Sequence, residues 1–187
     1  MTATPNDEPA IERLRPTTPS AQSEAFILQA YADWHDDLFG FLTSATRDRQ
    51  LAEDLLQETY LRLVAETQAG RTPENIRPWL YRVASNLVVS RARRRVVAGR
   101  WISHLVQRDT GEAADADMLR QERRGDLERS LSHLSPDARV ALLLAAHGFS
   151  GAEVAATIGR SEGATRVLAC RARLQLRQII EREEGVA

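Results

Sequence analysis

Residues 150–177, SGAEVAATIGRSEGATRVLACRARLQLR, constrain the fold most, because they predict two helices joined by a tight turn. Ser150 and Glu153 have the three-residue spacing of a capping box at the start of the first helix. Gly159 can adopt the left-handed backbone conformation that a tight turn requires, and Ser161 can cap the second helix. The stretch therefore predicts a helix-turn-helix.

The second of these helices has two distinct sides. Small and apolar residues recur at helical spacing on the side predicted to face inward: Thr165, Leu168, Ala169, Ala172, Leu176 and Ile179. Three arginines, Arg166, Arg173 and Arg177, share an opposite flank with Cys170. Such a flank suits a phosphate-lined major groove. The alternative interpretation is an amphipathic helix pair with a solvated face.

Composition limits the class of protein. The 187 residues suffice for one large or two small domains, and the net charge of −1 does not by itself indicate a nucleic-acid partner. All 25 basic residues are arginine, so every cationic contact would be made by a planar guanidinium that is always charged. The single cysteine, Cys170, rules out an internal disulfide framework and suits a reducing cytoplasm. We expect no secretory signal and no membrane span.

Two features are predicted in the first third of the chain. Residues 1–22 contain four of the seven prolines among polar residues, which predicts a disordered tail. A first helix over 23–47 follows. Its apolar residues recur at i, i+4, i+7, i+11, i+14 and i+18 and predict a buried stripe: Ile27, Tyr31, Trp34, Leu38, Phe41 and Ala45.

A second helix, predicted over 48–66, is acidic. Ala52, Leu55, Leu56, Thr59 and Leu63 are expected to face the core. The opposite side carries Asp54, Gln57, Glu58 and Leu61. This side is either an ordinary solvated face or a docking surface for a basic partner, and an exposed leucine within an acidic stripe favours the docking surface.

A third helix is predicted to begin at Pro78 and to end near Arg95. Residues 77–100 contain seven arginines and no acid. Trp79 and Tyr81 lie at the start of this helix. Aromatic side chains beside arginines are the components of a single-strand site, in which bases stack and guanidinium groups hold phosphates.

The remaining segments complete an all-α prediction: two small helical domains joined by an acidic linker, the second domain being a helix-turn-helix. The domains are placed at 23–97 and 127–182, with the linker at 98–126. Ser135 and Pro136 predict the start of the first helix of the second domain. No metal-ligand spacing, cofactor motif or catalytic constellation is recognisable, so we expect a protein that is not an enzyme.

Three stretches in this order resemble the extracytoplasmic-function sigma factors of bacterial RNA polymerase. AEDLLQETYLRLV at 52–64 is similar to the family's clamp-binding helix. RPWLYRVASNLVVSRARRR at 77–95 is similar to its minus-ten segment, and 134–177 resembles its minus-thirty-five module. With the first helix, the resemblance covers about residues 25–177, as regions 2 and 4 of the family.

The resemblance implies roles for the residues that match these motifs. Asp54, Gln57, Glu58 and Leu61 would dock on the beta-prime clamp of core RNA polymerase. In the minus-ten segment, the residues implied to melt, read or hold promoter DNA are Trp79, Tyr81, Asn86, Arg91, Arg93, Arg94 and Arg95. Minus-thirty-five contacts are implied for Arg160, Ser161, Arg166, Val167, Arg171 and Arg173.

The chain departs from the family pattern at three positions. Ser90 stands where an acid is usual, and Val167 and Leu168 stand where serine and arginine are frequent. Recognition of the minus-thirty-five element is therefore expected to depend on DNA shape and phosphates. The family's partners are core polymerase, through the beta-prime clamp and the beta flap, promoter DNA, and an anti-sigma factor that is often membrane-bound.

Two other functions remain open from the sequence. A stand-alone helix-turn-helix regulator would bind DNA without polymerase, but it would need neither the acidic side of the second helix nor the Trp-Tyr-Asn segment. A sigma mimic would only sequester an anti-sigma factor, and no fused receiver domain accompanies these helices.

Overall fold

The computed structural model describes residues 21–99 and 130–184, and these form helices joined by short turns, with no strand among them. The first domain contains α1 (Ala21–Thr46), α2 (Arg49–Gln68) and α3 (Ile76–Gly99). The second contains α4 (Pro136–Ala146), α5 (Gly151–Ile158) and α6 (Glu162–Glu184). The all-α architecture is confirmed. Most of the predicted tail and linker lies outside the described residues, although Ala21, Gln22, Ala98 and Gly99 belong to helices.

Local signals position the helix ends. Asp48 caps α2 by accepting a hydrogen bond from the backbone N–H of Leu51 at 3.0 Å. Ser135 caps α4, and Pro136 is its first residue, as the sequence predicted. The start of α3 was placed too late, because the helix begins at Ile76 and Pro78 is its third residue. Proline is tolerated there, since N–H groups of the first turn have no partner within the helix.

The first three helices pack around a core that is closed to solvent. Leu38, Phe41 and Leu42 of α1, Leu63 of α2 and Leu80 of α3 are at most 1% exposed. The predicted core residues of α2 are all buried.

One residue of the predicted stripe on α1 lies elsewhere. Tyr31 is 48% exposed, and Ala30 is buried in its place. The ring of Tyr31 lies 5.0 Å from that of Tyr60, at the edge between α1 and α2. The prediction that Tyr31 is buried was wrong, because its ring lies at the edge of the contact between α1 and α2 and not between the two helices.

The second domain packs directly on the first. Val140 and Leu144 of α4, Phe149 of the following turn, and Val154 and Ile158 of α5 share one core cluster with α1–α3. A smaller cluster within the second domain contains Leu131, Leu134, Ala138 and Ala172. The sequence predicted the two domains but not this packing between them.

Candidate functional site

The exposed side of α2 carries the four residues predicted to dock on a partner: Asp54, Gln57, Glu58 and Leu61, here called the acidic face. Leu61 is 61% exposed. Glu58 accepts a hydrogen bond from Arg62 at 2.6 Å, one turn along the helix, which leaves the carboxylate of Asp54 as the more accessible charge.

A groove of about 470 Å³ lies beside the acidic face, between α1 and α2. Its walls include Tyr31, Phe39, Leu56 and Tyr60, and it shares Gln57 and Leu61 with the acidic face. Burial raises the pKa of Tyr60 to about 12, so its phenol stays neutral. An apolar groove next to negative charge can take an apolar side chain of a partner whose surroundings are basic.

Asn86 lies on an exposed side of α3. Trp79, Arg82, Asn86 and Arg93 recur at helical spacing, and all of them except the half-buried Trp79 are exposed. These four residues form the surface here called the minus-ten face, after the role predicted for Asn86. Arg91, Arg94 and Arg95 are also exposed on α3. At about 100° per residue, however, Arg91 and Arg95 lie on the opposite side of the helix from Asn86, where both line a pocket with Arg139. The minus-ten face thus combines an amide and an indole with the guanidinium groups of Arg82 and Arg93.

Tyr81 lies away from the minus-ten face. It is 1% exposed and its ring lies 5.1 Å from the ring of Phe41 in the core. Burial raises its pKa to about 12. The structure therefore does not bring Tyr81 together with Trp79 and Asn86 on one accessible surface.

The helix-turn-helix has the local geometry that its sequence predicted. Ser150 and Glu153 form the capping box, and hydrogen bonds from Ser150 lower the pKa of the Glu153 carboxyl. Gly159 has φ 68°, in the left-handed region. Ser161 accepts a hydrogen bond from the N–H of Ala164 at 3.3 Å and so caps α6.

Residues predicted to contact minus-thirty-five DNA are exposed on α6 and at its start. Arg166, Arg171 and Arg173 are exposed, and Val167 is 49% exposed. Thr165 and Ala172 are buried and Leu168 is half-buried, so the inward side of α6 agrees with the prediction.

Arg160 differs from the other arginines of this site. It binds Asp137 of α4 with two hydrogen bonds, of 2.6 and 3.2 Å. The same carboxylate lies 3.6 Å from Arg93 of the minus-ten face. Asp137 thus joins one predicted DNA-binding arginine from each domain.

Four residues that lie between the domains were not predicted to do so: Arg77, Arg139, His147 and Phe149. Arg139 is 8% exposed and donates hydrogen bonds to the carbonyl oxygens of Leu131, Leu134 and, across the domain boundary, Ala45. Burial lowers its pKa, and the charge of Arg47 adds to this. The one available signal was a single arginine within the otherwise apolar run at 138–146.

The part of the chain that the structure describes contains no cluster of three or more potential metal ligands among His, Cys, Asp and Glu. Within those same residues, no helix is long and apolar enough to cross a membrane.

Family comparisons match both domains. The Sigma-70 region 2 model matches residues 30–97, and the Sigma-70, region 4 model matches residues 124–176. RNA polymerase sigma factor CarQ of Myxococcus xanthus is 32% identical over 157 residues, which cover 79% of this chain and 90% of CarQ. ECF RNA polymerase sigma factor SigX of Bacillus subtilis is 28% identical, with 82% of this chain and 84% of SigX covered.

A third relative and a solved structure agree with these matches. ECF RNA polymerase sigma factor SigE of Mycolicibacterium smegmatis is 32% identical over 72% of this chain, which spans only 53% of SigE. The sigma factor RpoE of Bartonella quintana, solved in complex with the anti-sigma factor NepR, has the same fold, with a TM-score of 0.67 and 24% identity over 87% of this chain and 98% of RpoE. Because both of its domains match Sigma-70 models and it resembles CarQ over most of the length of both proteins, the chain belongs to the extracytoplasmic-function sigma factors of RNA polymerase.

Proposed function

We propose that this protein binds core RNA polymerase through the acidic face of α2, directs it to promoters and opens the DNA there. The observation that carries the proposal is the presence of two different surfaces on one chain. An acidic face with a 61% exposed leucine suits a basic protein partner, and arginine-rich helices in both domains suit DNA.

Promoter recognition is divided between the two domains in this proposal. Trp79 and Asn86 act at the minus-ten element, where an unstacked base can stack on an indole and hydrogen-bond to an amide. Arg166, Arg171 and Arg173 hold phosphates at the minus-thirty-five element. Val167 is exposed enough to contact a thymine methyl.

An anti-sigma factor is the proposed inhibitor. The solved complex of RpoE with NepR and the family membership of this chain support such a partner. The alternative of a stand-alone DNA-binding regulator is disfavoured by the acidic face and by the match to region 2, since such a regulator needs neither.

Transcription with purified components tests the proposal. Core polymerase supplied with this protein is expected to give promoter-specific run-off transcripts. Promoter binding without polymerase, together with no transcript in its presence, would instead establish the stand-alone regulator. A protein that binds an anti-sigma factor but neither core polymerase nor promoter DNA would be a sigma mimic.

Reversal of charge on the acidic face tests the docking surface itself. The double variant Asp54→Arg, Glu58→Arg is expected to weaken polymerase binding by about 3 kcal/mol or more, on the order of 100-fold, because like charges would then meet in the interface. Affinity is measured by titration of labelled protein with core polymerase, and helicity by circular dichroism.

The matched control is Glu24→Arg, Glu74→Arg, which reverses the same number of charges at exposed positions outside the acidic face. This control should bind polymerase as the unaltered protein does. Equal affinity of the Asp54, Glu58 variant and the control would show that the acidic face is not the docking surface.

A further inference from the structure

A pocket of about 140 Å³ lies where the end of α1, the first turns of α2 and the second half of α3 meet the start of α4. Leu51 and Leu55 of α2 contribute an apolar wall. Three arginines also line the pocket, Arg91 and Arg95 of α3 and Arg139 of α4, and no acidic side chain from the described parts of the chain does so. This space is here called the arginine pocket.

Arg91 and Arg95 are one turn of α3 apart, so their side chains share one side of the helix. Both are exposed, and neither forms an ion pair at 4.0 Å or less with another described residue. Arg93, on another side of the helix, instead lies 3.6 Å from the carboxylate of Asp137. The guanidinium groups of Arg91 and Arg95 are therefore available to a ligand.

Arg139 reaches the pocket from a buried position and is 8% exposed. Its guanidinium donates hydrogen bonds to carbonyl oxygens: those of Leu131, Ala45, Ser132 and Leu134. Because a guanidinium has five N–H groups, one N–H of Nη1 has no partner among the described residues. The carbonyl groups hold this side chain in place but leave its charge without a counterion.

A fourth cation, Arg47, follows the lining residue Thr46 in the turn after α1. Burial lowers the pKa of Arg139, and the charge of Arg47 is close enough to lower it further. The Nε of Arg47 is buried and has no hydrogen-bond partner in the described part of the chain. Four guanidinium groups thus line or adjoin one small space.

The acids nearest to these arginines in sequence are engaged elsewhere. Asp48 caps α2 by accepting the N–H of Leu51. Asp137 binds Arg160 at 2.6 Å. Like charges that are held together away from bulk water raise the free energy of the protein, and an anion placed among them lowers it.

The chemistry of the arginine pocket selects the kind of anion. Guanidinium groups present paired donors that match phosphate and carboxylate oxygens. A phosphate group carries about −1.5 to −2 charge at pH 7 and three acceptor oxygens, so it can balance several arginines where a carboxylate balances one. A cube of the pocket's volume is only roughly 5 Å on a side. A small anion fits this space, whereas a DNA duplex, with a major groove about 12 Å wide, cannot enter it.

We propose that the arginine pocket binds a free phosphate group, either inorganic phosphate or the phosphate of a small metabolite. Arg91 and Arg95 grip its outer oxygens from α3, and Arg139 donates from the buried side. The sequence predicted that Arg91 and Arg95 hold phosphates of promoter DNA, and the pocket assigns them a small anion instead. This site does not depend on the proposed function.

Calorimetric titration of the full-length protein with inorganic phosphate, in a buffer that contains chloride and no phosphate, tests the site. Saturable binding of one phosphate for each protein is expected. In the double variant Arg91→Gln, Arg95→Gln, the Kd is expected to rise on the order of tenfold for each arginine, because hydrogen bonds to a charged ligand are lost. Adenosine monophosphate is titrated in parallel, and the tighter of the two ligands identifies the source of the phosphate group.

The matched control is Arg82→Gln, Arg94→Gln. It removes two charges from exposed positions of the same helix, and neither residue lines the pocket. This control should bind phosphate as the unaltered protein does. If the Arg91, Arg95 variant loses helical signal in circular dichroism, Arg91→Lys, Arg95→Lys decides, since it keeps both charges and removes the planar donor pairs. A severalfold weaker affinity then supports the site, and an unchanged affinity overturns it.

Three other results would overturn the proposal. The first is the absence of saturable phosphate binding by the unaltered protein. The second is equal weakening in the control, which would mean that the net charge of α3 alone attracts phosphate. The third is displacement of phosphate by promoter duplex DNA at the same concentration of phosphate groups, which would assign Arg91 and Arg95 to DNA. Failure of run-off transcription would contradict the sigma function and leave these measurements standing.

Discussion

Among single residues, ion pairing divides the predicted DNA-binding arginines into two groups. Arg93 and Arg160 share the carboxylate of Asp137, so their positive charge is partly neutralised. Within residues 21–99 and 130–184, neither Arg166 nor Arg173 forms an ion pair at 4.0 Å or less, and both are exposed on α6. These two arginines are the ones ready to replace counterions on DNA phosphates.

Arg166→Ala and Arg173→Ala are each expected to weaken promoter binding by the polymerase complex and to lower its salt dependence by about one counterion. The measurement is the slope of the logarithm of affinity against the logarithm of salt concentration. Arg71→Ala is the control, since Arg71 pairs with Glu66 in the first domain at 2.8 Å. An unchanged slope for Arg166→Ala would mean that this flank of α6 does not contact DNA.

At the level of secondary-structure elements, the sequence predicted what local chemistry determines. The caps at Ser135, Ser150 and Ser161 and the left-handed Gly159 depend on residues within one turn of each other, and all are confirmed. The inward sides of α2 and α6 also followed from helical periodicity. Tyr31 was misplaced because periodicity identifies a direction around the helix axis but not how far the neighbouring helix extends.

The turn before α6 supplies a stability prediction with an internal control. Gly159→Ala is expected to lower the free energy of unfolding by about 1–2 kcal/mol, because a Cβ disfavours the left-handed conformation at φ 68°. Gly163→Ala is expected to raise it by roughly 0.5–1 kcal/mol, since Gly163 is helical and a Cβ there meets no atom within 4 Å. Chemical denaturation of both variants measures the difference.

A fall in stability for Gly163→Ala as large as that for Gly159→Ala would contradict this assignment. In that case, the two substitutions would act through something other than the backbone conformation of the turn. If backbone conformation is the cause, the same glycine-to-alanine change must lower the free energy of unfolding at Gly159 and raise it at Gly163, four residues later.

In the molecule as a whole, the arrangement of the two domains could not be predicted from the chain. Arg77 and His147 lie 70 residues apart, and Ala45 and Arg139 lie 94 apart. No periodicity or spacing links such positions. Both arginines lie within stretches that resemble family motifs, but the sequence suggested a role for neither of them. The predicted site residues lie on or beside the helices to which the sequence assigned them, but contacts between the domains add to the burial of Tyr81 and pair Arg93 and Arg160 with Asp137.

The packing of the second domain on the first, here called the closed state, is expected to depend on pH through His147, which lies against Tyr81 of the first domain. Burial lowers the pKa of His147 below its usual range, the charge of Arg77 lowers it further, and the charge of Asp37 opposes both. In an open molecule His147 is expected to titrate near its ordinary value of about 6.5. The closed state therefore binds fewer protons than the open state and is favoured above about pH 6.5.

This stabilisation of the closed state is lost as the pH falls from about 6.5 through the lower pKa that His147 has in the closed state. The charged and titratable groups facing His147 are Asp37 of α1 and Arg77 and Tyr81 of α3. Arginine does not titrate near neutrality, and Tyr81, with a pKa of about 12, does not either. Protonation of His147 places a second cation beside Arg77, and its Nδ1, which lies 3.1 Å from the Tyr81 hydroxyl oxygen, can then no longer accept a hydrogen bond.

The separation of the domains is measured by energy transfer between dyes on the exposed Cys170 of α6 and on a cysteine introduced at an exposed position of α2 by Ala65→Cys. The transfer is expected to fall as the pH is lowered from 7.5 to 5.5. The ratio of open to closed molecules should rise by up to about tenfold for each pH unit. His147→Gln keeps a hydrogen-bond acceptor but cannot take up this proton, so it should remove the transition. His35→Gln removes a histidine beside Asp36, away from His147, and should retain the transition. A transition that persists in His147→Gln would assign the opening to another group and would contradict protonation of His147 as its cause.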